Sequence, residues 1–203
     1  MTDLDLRRTA IHEAGHLTMC HALGVTTGMA SIRPSDSTET FGWAGHGTFG
    51  FPKNPDPSQL DVPYPLMSTR LRRPIEKEIC VCLAGDAAVR LYAPMRDAGF
   101  AEHEPCLATA DELATKLTQR ETKQLLAFES AEPKDGDLDT ARHRSILAVG
   151  EHLTARYLLM MEAFAEQILC WDRPRRQIYA LADAFGADPV LSARTIRQLL
   201  DEN

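Results

Sequence analysis

The chain has 203 residues, a net charge of −7 and 44% hydrophobic residues. Its length and apolar content suffice for one large domain with a substantial core. The negative charge argues against nucleic acid as the main partner, because phosphate binding needs a basic surface. No apolar run approaches the roughly 18 residues of a membrane span, so we expect no membrane contact.

The start of the chain, Met-Thr-Asp-Leu-Asp, is acidic and has no apolar signal core. We therefore expect a cytoplasmic protein. In that compartment the five scattered cysteines are expected to be reduced thiols with structural roles. These cysteines are Cys20, Cys80, Cys82, Cys106 and Cys170.

A helix is predicted from Thr2 or Asp3, which suit its first positions, to Gly24, which suits its end. Apolar residues at helical spacing support it. Gly15 lies inside this helix, where a glycine costs about 1 kcal/mol relative to alanine. Such a glycine indicates that another element approaches the helix closely.

The HExxH motif, residues 12–16, lies in the middle of this predicted helix. Positions four apart share one face of a helix. His12 and His16 can therefore bind one zinc ion, while Glu13 reaches a water molecule beside it. Roughly one chain in a hundred of this length carries the spacing by chance, so the alternative is a surface helix with two histidines.

Two short strands are predicted after the first helix. Met29–Arg33 reads as an extended segment that Pro34 ends, and the Gly-rich Phe41–Phe49 reads as its partner. The edge at Ser31–Arg33 is expected to accept an extended peptide. Residues 51–65 carry five prolines and predict a long loop, either a lid or a passive surface loop.

The rest of the chain is predicted to be helical. From Ser68, with Pro74 in an early turn, an apolar stripe should pack on the first helix; its residues are Ile75, Ile79, Leu83, Ala87, Ala88 and Leu91. A further helix is expected over Ala108–Phe128. Another should begin at the turn Asp135–Asp137 and be interrupted at Gly150, after which a long helix runs through Cys170. The last two are expected from Asp172 to about Phe185 and after a cap at Ser192.

These patterns predict a mainly α fold with a small β-sheet or hairpin. We expect a single domain over residues 1–203. Its metal-site core would span 1–150, and 151–203 would form the C-terminal helical part of the same domain.

A catalytic zinc needs three protein ligands and one open position, so the two histidines are incomplete. A metzincin would need a glycine at position 19 and a histidine at position 22, where this chain has Met19 and Ala22. A glutamate from a second helix is another candidate. Glu76 and Glu78 could serve, although both also fit a solvated helix face.

Several segments, in the right order, resemble the protease domain of FtsH-type AAA-plus zinc peptidases. They are Thr9–Ile11 before the HExxH motif, Ser31–Pro34 with Gly42, Leu83–Ala88, Gly136–Ala141, Leu181–Ala182 and Thr195–Leu200. The resemblance covers nearly the whole chain. It implies an FtsH-peptidase-like helical zinc metalloprotease domain with one zinc ion per chain.

By position, the resemblance implies that the zinc ligands are His12, His16 and Asp137, and that Glu13 is the general base. Asp135 and Asp139 lie in the same acidic cluster. Asp137 also suits a helix cap.

The sequence departs from the family in two respects. Asp86 stands where the family has an arginine, and Ala84 stands where it has a glycine. The ATPase module and the membrane spans of the family have no counterpart in this sequence, so we expect no unfolding motor in it.

The resemblance implies a zinc-dependent, ATP-independent endopeptidase that hydrolyses flexible or unfolded polypeptides. The alternative is a zinc-binding adaptor, or a protease subunit that acts only with a separate ATPase partner. An exposed apolar patch on the first or last helices would favour the subunit. A homo-oligomer stays open. No transition-state donor stands out among His46, His103, His143, His152, Tyr64 and Tyr92, although His46 is the best placed.

Overall fold

A computed structural model describes residues 3–33, 42–49, 69–97 and 136–203. These residues form α1 (Asp3–Ala22), β1 (Thr27–Ser31), β2 (Trp43–His46), α2 (Thr69–Asp97), α3 (Asp137–Val149), α4 (Glu151–Leu169), α5 (Asp172–Ala187), β3 (Val190–Leu191) and α6 (Ala193–Glu202). The prediction of a mainly helical fold with a small sheet is confirmed. The predicted loop 51–65 and the predicted helix 108–128 lie outside the described residues, as do Asp135, His103, Tyr64 and Cys106.

Helix α1 lies at the centre of the fold and ends where its sequence predicts. Gly24 follows the last turn with a φ of +66°, a conformation that glycine adopts without steric cost. Ala14, Leu17 and Met19 are fully buried. A helix buried on so much of its surface needs partners on several sides, and α2 and α5 are the main ones.

Helix α2 packs directly on α1 through the predicted apolar stripe. Ile79, Ala84, Ala87 and Ala88 are fully buried in this contact region. The helices approach so closely at Gly15 that a Cβ there would lie 2.6 Å from the carbonyl oxygen of Ala84. The prediction that Gly15 marks close approach by another element is confirmed.

The start of α2 agrees with the expectation within one residue. The helix begins at Thr69, and Pro74 lies in its second turn. There the missing N–H leaves the carbonyl of Arg70 without its usual helical donor.

The three strands form one antiparallel sheet in the order β2-β1-β3. Ser31 of β1 pairs with Trp43 on one side and with Val190 on the other. The N–H of Ile32 also donates to the carbonyl of Pro189 at 2.9 Å. The prediction that Ser31–Arg33 offers a free edge is therefore wrong, because β3, a strand of only two residues, covers it.

The remaining helices enclose α1 and α2. Gly150, with a φ of +79°, separates α3 from α4 as predicted. Arg90 of α2 forms ion pairs with Glu162 and Glu166 of α4, and the hydroxyl of Tyr92 donates to the carbonyl of Leu169 at 2.6 Å. These contacts fix α2 between α1 and α4. No described helix has the length and apolar character needed to cross a membrane.

Two glycines allow the α1–α2 contact to be tested. Gly15→Ala should lower the free energy of unfolding by about 1–3 kcal/mol, because its methyl group overpacks a close helix contact. Gly186→Ala, in α5, is the matched control, since no heavy atom lies within 4 Å of its Cβ position. That change should stabilise the protein by about 0.5–1 kcal/mol. Urea unfolding measures both, and equal effects would contradict the packing described.

Candidate metal centre

The structure brings His12 and His16 of α1 together with Asp137, the first residue of α3. The two Nε2 atoms are 3.0 Å apart. The Oδ2 atom of Asp137 lies 3.0 Å from Nε2 of His16 and 3.6 Å from Nε2 of His12. Two ring nitrogens and one carboxylate oxygen therefore form a small triangle, and such a group could hold a metal ion.

The size of this triangle matches a tetrahedral zinc site. Ligand atoms at 2.0–2.1 Å from zinc, separated by tetrahedral angles, lie about 3.3 Å apart. The three measured separations, 3.0, 3.0 and 3.6 Å, lie around that value. Two imidazoles with one carboxylate are also a donor set that zinc accepts in catalytic sites. The residues present therefore fit a zinc ion.

Asp137 lies at the start of α3 and is not its N-cap. Gly136 occupies the capping position. Asp137 is the next residue, in the first turn, where a carboxylate interacts favourably with the helix dipole. Its side chain is about half exposed, so it borders the solvent side of the site.

His16 is held from behind by the backbone of α2. Its Nδ1 lies 2.7 Å from the carbonyl oxygen of Val81. A carbonyl only accepts hydrogen bonds, so Nδ1 carries the proton and Nε2 is left with a free lone pair. The side chain is almost fully buried, which fixes the ring with that lone pair toward the triangle.

His12 is held by a carboxylate instead. Its Nδ1 lies 3.3 Å from Oδ1 of Asp86 on α2. Burial lowers the pKa of His12, but hydrogen bonds to Asp137 and Asp86 outweigh burial and raise that pKa to about 10. Burial raises the pKa of Asp137, but its contacts with His12 and His16 outweigh burial and lower that pKa. In the metal-free protein, the positive charge of protonated His12 thus balances the negative charges of Asp137 and Asp86.

Gly85 leaves the space beside the two imidazoles clear. A Cβ at this position would lie 2.5 Å from Nε2 of His16 and 2.6 Å from Nε2 of His12. Those separations are shorter than any normal contact of a methyl group. Position 85, where α2 passes the Nε2 atoms of His12 and His16, therefore requires a glycine.

Glu13 lies beside the triangle and is only 5% exposed. Burial raises the pKa of its carboxyl group, and the positive charge of His16 and His12 opposes that effect. Gly42 packs on this carboxyl group, since a Cβ there would lie 2.6 Å from Oε1 of Glu13. Burial therefore favours the protonated form of this carboxyl group.

The triangle and Glu13 face a cavity of about 630 Å³. Strand β2 forms one wall of this cavity through Trp43, Ala44 and His46. Among the described residues, β2 pairs with β1 alone, and no described strand lies at its other edge. Of the two strands β1 and β2, only β2 lines this cavity, whereas the prediction placed the peptide at Ser31–Arg33.

Other sequence candidates lie apart from the triangle. Glu76 pairs with Arg72, and Glu78 pairs with Arg144, so neither glutamate joins the histidines. Asp139 is not part of the triangle either. The pair between Glu78 and Arg144 joins α2 to α3, and it helps to hold the helix that carries Asp137.

Among the candidate transition-state donors, only His46 of the described residues lines the cavity. Tyr92 is fully buried, and its hydroxyl is bonded to the backbone of α4. His143 and His152 are exposed and do not line the cavity.

Sequence reasoning missed two residues that touch the histidines, Gly85 and Asp86. Both lie in the segment that resembles the family, where Asp86 counted only as a departure. The signal available was a carboxylate next to a glycine on the helix predicted to pack against the motif. Helical spacing alone does not say which of its residues face His12.

A scan of the sequence against protein-family models finds no match, and a search among curated proteins finds none either. The residues and their geometry are therefore what bears on function.

Replacing Gly85 tests whether the imidazoles need this gap. Gly85→Ala should weaken zinc binding by about tenfold or more, because its methyl group forces the two rings out of position. Calorimetric titration of the metal-free protein with zinc measures this, with Gly186→Ala as the control. Affinity equal to that of the wild type would contradict the close contact.

The raised pKa of His12 predicts a pH dependence of stability for the metal-free protein. Folding raises the pKa of His12 from 6.5 to about 10, so the protonated histidine stabilises the folded state. This stabilisation is complete below pH 6.5 and is lost as the pH rises toward about 10. With a chelator present, the free energy of unfolding should therefore fall between pH 6.5 and 10. Urea unfolding of His12→Gln should show a smaller fall, whereas His21→Gln, on the same helix, should follow the wild type.

Proposed function

We propose that this protein is a zinc-dependent endopeptidase that hydrolyses flexible or unfolded polypeptides without ATP. The proposal includes the ligands His12, His16 and Asp137, the general base Glu13 and a cytoplasmic location. The resemblance to FtsH-type peptidases supports it at the level of sequence. The observation that carries it is the triangle of ligand atoms beside a buried glutamate in an open cavity.

The metal would supply Lewis acidity toward water and toward a carbonyl oxygen. The histidines can offer Nε2 lone pairs because their other nitrogens face Val81 and Asp86. With Asp137, they would provide three protein ligands, the number that catalytic zinc sites use.

Glu13 is assigned the proton transfers. Its carboxylate takes a proton from the attacking water and returns that proton to the amine that leaves. In the metal-free protein, burial raises the pKa of this carboxyl group, which makes it a stronger base. Gly42 keeps a side chain from covering the carboxyl group, which stays at the cavity wall.

The edge of β2 away from β1 is assigned to the substrate. An extended peptide would add to Trp43–His46 through main-chain hydrogen bonds, which carry little sequence preference. A folded substrate offers no such extended segment, so flexible polypeptides are the substrate class that fits. The exposed side chain of Trp43 would contact such a peptide beside the site.

The alternative is a zinc-binding adaptor, or a subunit that needs a separate ATPase partner. An apolar patch on the first or last helices would have favoured the subunit. Among the described residues, the exposed large apolar side chains lie elsewhere, at Met29, Trp43, Leu138, Leu153, Met160, Phe164 and Trp171. None of them lies on the described residues of α1 or α6, so those helices give the docked subunit no support.

Two substitutions separate metal binding from hydrolysis. Wild-type protein should bind about one zinc ion per chain and cleave a labelled casein-type substrate. Asp137→Ala should lose zinc and activity together, because it removes a ligand. Glu13→Gln should keep the zinc and lose activity by about 10²–10⁴-fold, since only the proton transfer is removed. Elemental analysis and the rate of cleavage measure both quantities.

Asp139→Ala is the matched control, as it removes a carboxylate from the same helical turn outside the triangle. It should retain zinc and activity. Zinc without hydrolysis in the wild type would favour the adaptor or subunit, and wild-type protein that binds no zinc would refute the metal centre altogether.

A further inference from the structure

The outer nitrogens of the two histidines face different partners on one stretch of α2. Nδ1 of His16 lies 2.7 Å from the carbonyl oxygen of Val81. Nδ1 of His12 lies 3.3 Å from Oδ1 of Asp86. Between these two partners, Gly85 provides the space that lets the helix approach both rings. A single segment of α2 therefore holds both rings from behind.

The two partners differ in charge and in exposure. Val81 offers a neutral backbone carbonyl to a ring that is almost fully buried. Asp86 offers a carboxylate whose side chain is 73% exposed, and the side chain of His12 is 28% exposed. His12 thus lies on the more solvent-exposed side of the triangle. Packing restrains its ring less there, so a hydrogen bond contributes more to the orientation of the ring.

We propose that Asp86 is a positioning residue for His12, accepting a hydrogen bond from Nδ1–H and so directing Nε2 toward the metal. This inference rests on the metal centre of the proposed function, and not on hydrolysis. A carboxylate behind a ligand histidine fixes the tautomer and makes the ring a stronger donor. Asp86 faces Nδ1, which points away from the triangle, so it orients a ligand without being one.

The charge of Asp86 has a second effect. Two neutral imidazoles and Asp137 would leave a zinc site with a net charge of about +1, counted from a divalent ion and one carboxylate. Asp86 adds a negative charge just outside the ligands, which favours a bound cation. Because solvent screens an exposed carboxylate, this contribution is smaller than that of a ligand.

Zinc affinity tests this role without any reference to catalysis. Asp86→Ala should raise the dissociation constant for zinc about tenfold, the lower end of the range for such partners, because Asp86 is exposed. Asp86→Asn should raise it less, since the amide oxygen still accepts a hydrogen bond from Nδ1–H. Competition with a chromophoric chelator measures both variants. Asp201→Ala, at an exposed position on α6, controls for the loss of one negative charge.

Proton NMR of the zinc-loaded protein distinguishes a change at His12 from a general loss of packing, because the two histidines give separate signals. The Nδ1–H signal of His12 should broaden in Asp86→Ala through faster exchange with water. The Nδ1–H signal of His16 should stay sharp, because Val81 still accepts its proton, and it serves as an internal control.

The outcomes separate this inference from the proposed function. Zinc affinity and both imidazole signals unchanged in Asp86→Ala would overturn the positioning role and leave the metal centre intact. Broadening of both signals would also overturn it, because the change would not be specific to His12. Wild-type protein that binds no zinc would remove the metal centre and this inference together.

Discussion

The close contact between α1 and α2 is the constraint on which the candidate site depends. Gly15 lets the backbones approach, and Gly85 then passes beside the two imidazoles without a methyl group between them. At this separation the backbone of Val81 and the side chain of Asp86 reach the outer nitrogens. The packing that stabilises the core is therefore also what orients the two histidines.

Charge balance links the site to the rest of the fold. Asp137 and Asp86 converge on the two histidines, while Glu13 is buried beside them, and burial of uncompensated carboxylates is costly. Without metal, the raised pKa of His12 supplies the compensating proton. A divalent cation would take over this role with twice the charge. The same arrangement explains how the protein can hold its shape before a metal binds and still favour metal when it is available.

Local patterns in the sequence predicted most of what lies along single elements. The ends of α1, the stripe on α2, the break at Gly150 and the cap at Ser192 follow from helical spacing and from residue types that favour helix ends. The HExxH motif predicted that His12 and His16 lie side by side, since positions i and i+4 share one face of a helix.

Contacts between distant parts of the chain were harder to predict. A two-residue strand such as β3 leaves no periodic signal, so the covered edge of β1 could not be foreseen. The contact of Asp86 with His12 depends on how two helices are rotated against each other, which spacing within one helix does not specify.

The position of Asp137 has a consequence beyond chemistry. His16 and Asp137 belong to helices that are far apart in the sequence, so an ion bound to both would act as a cross-link between distant parts of the chain. Because such an ion binds the folded form and not the unfolded chain, it adds stability that grows with the metal concentration. The lifetime of the folded protein would then follow the supply of metal around it, and chains that fail to obtain an ion would be the first to open and be degraded.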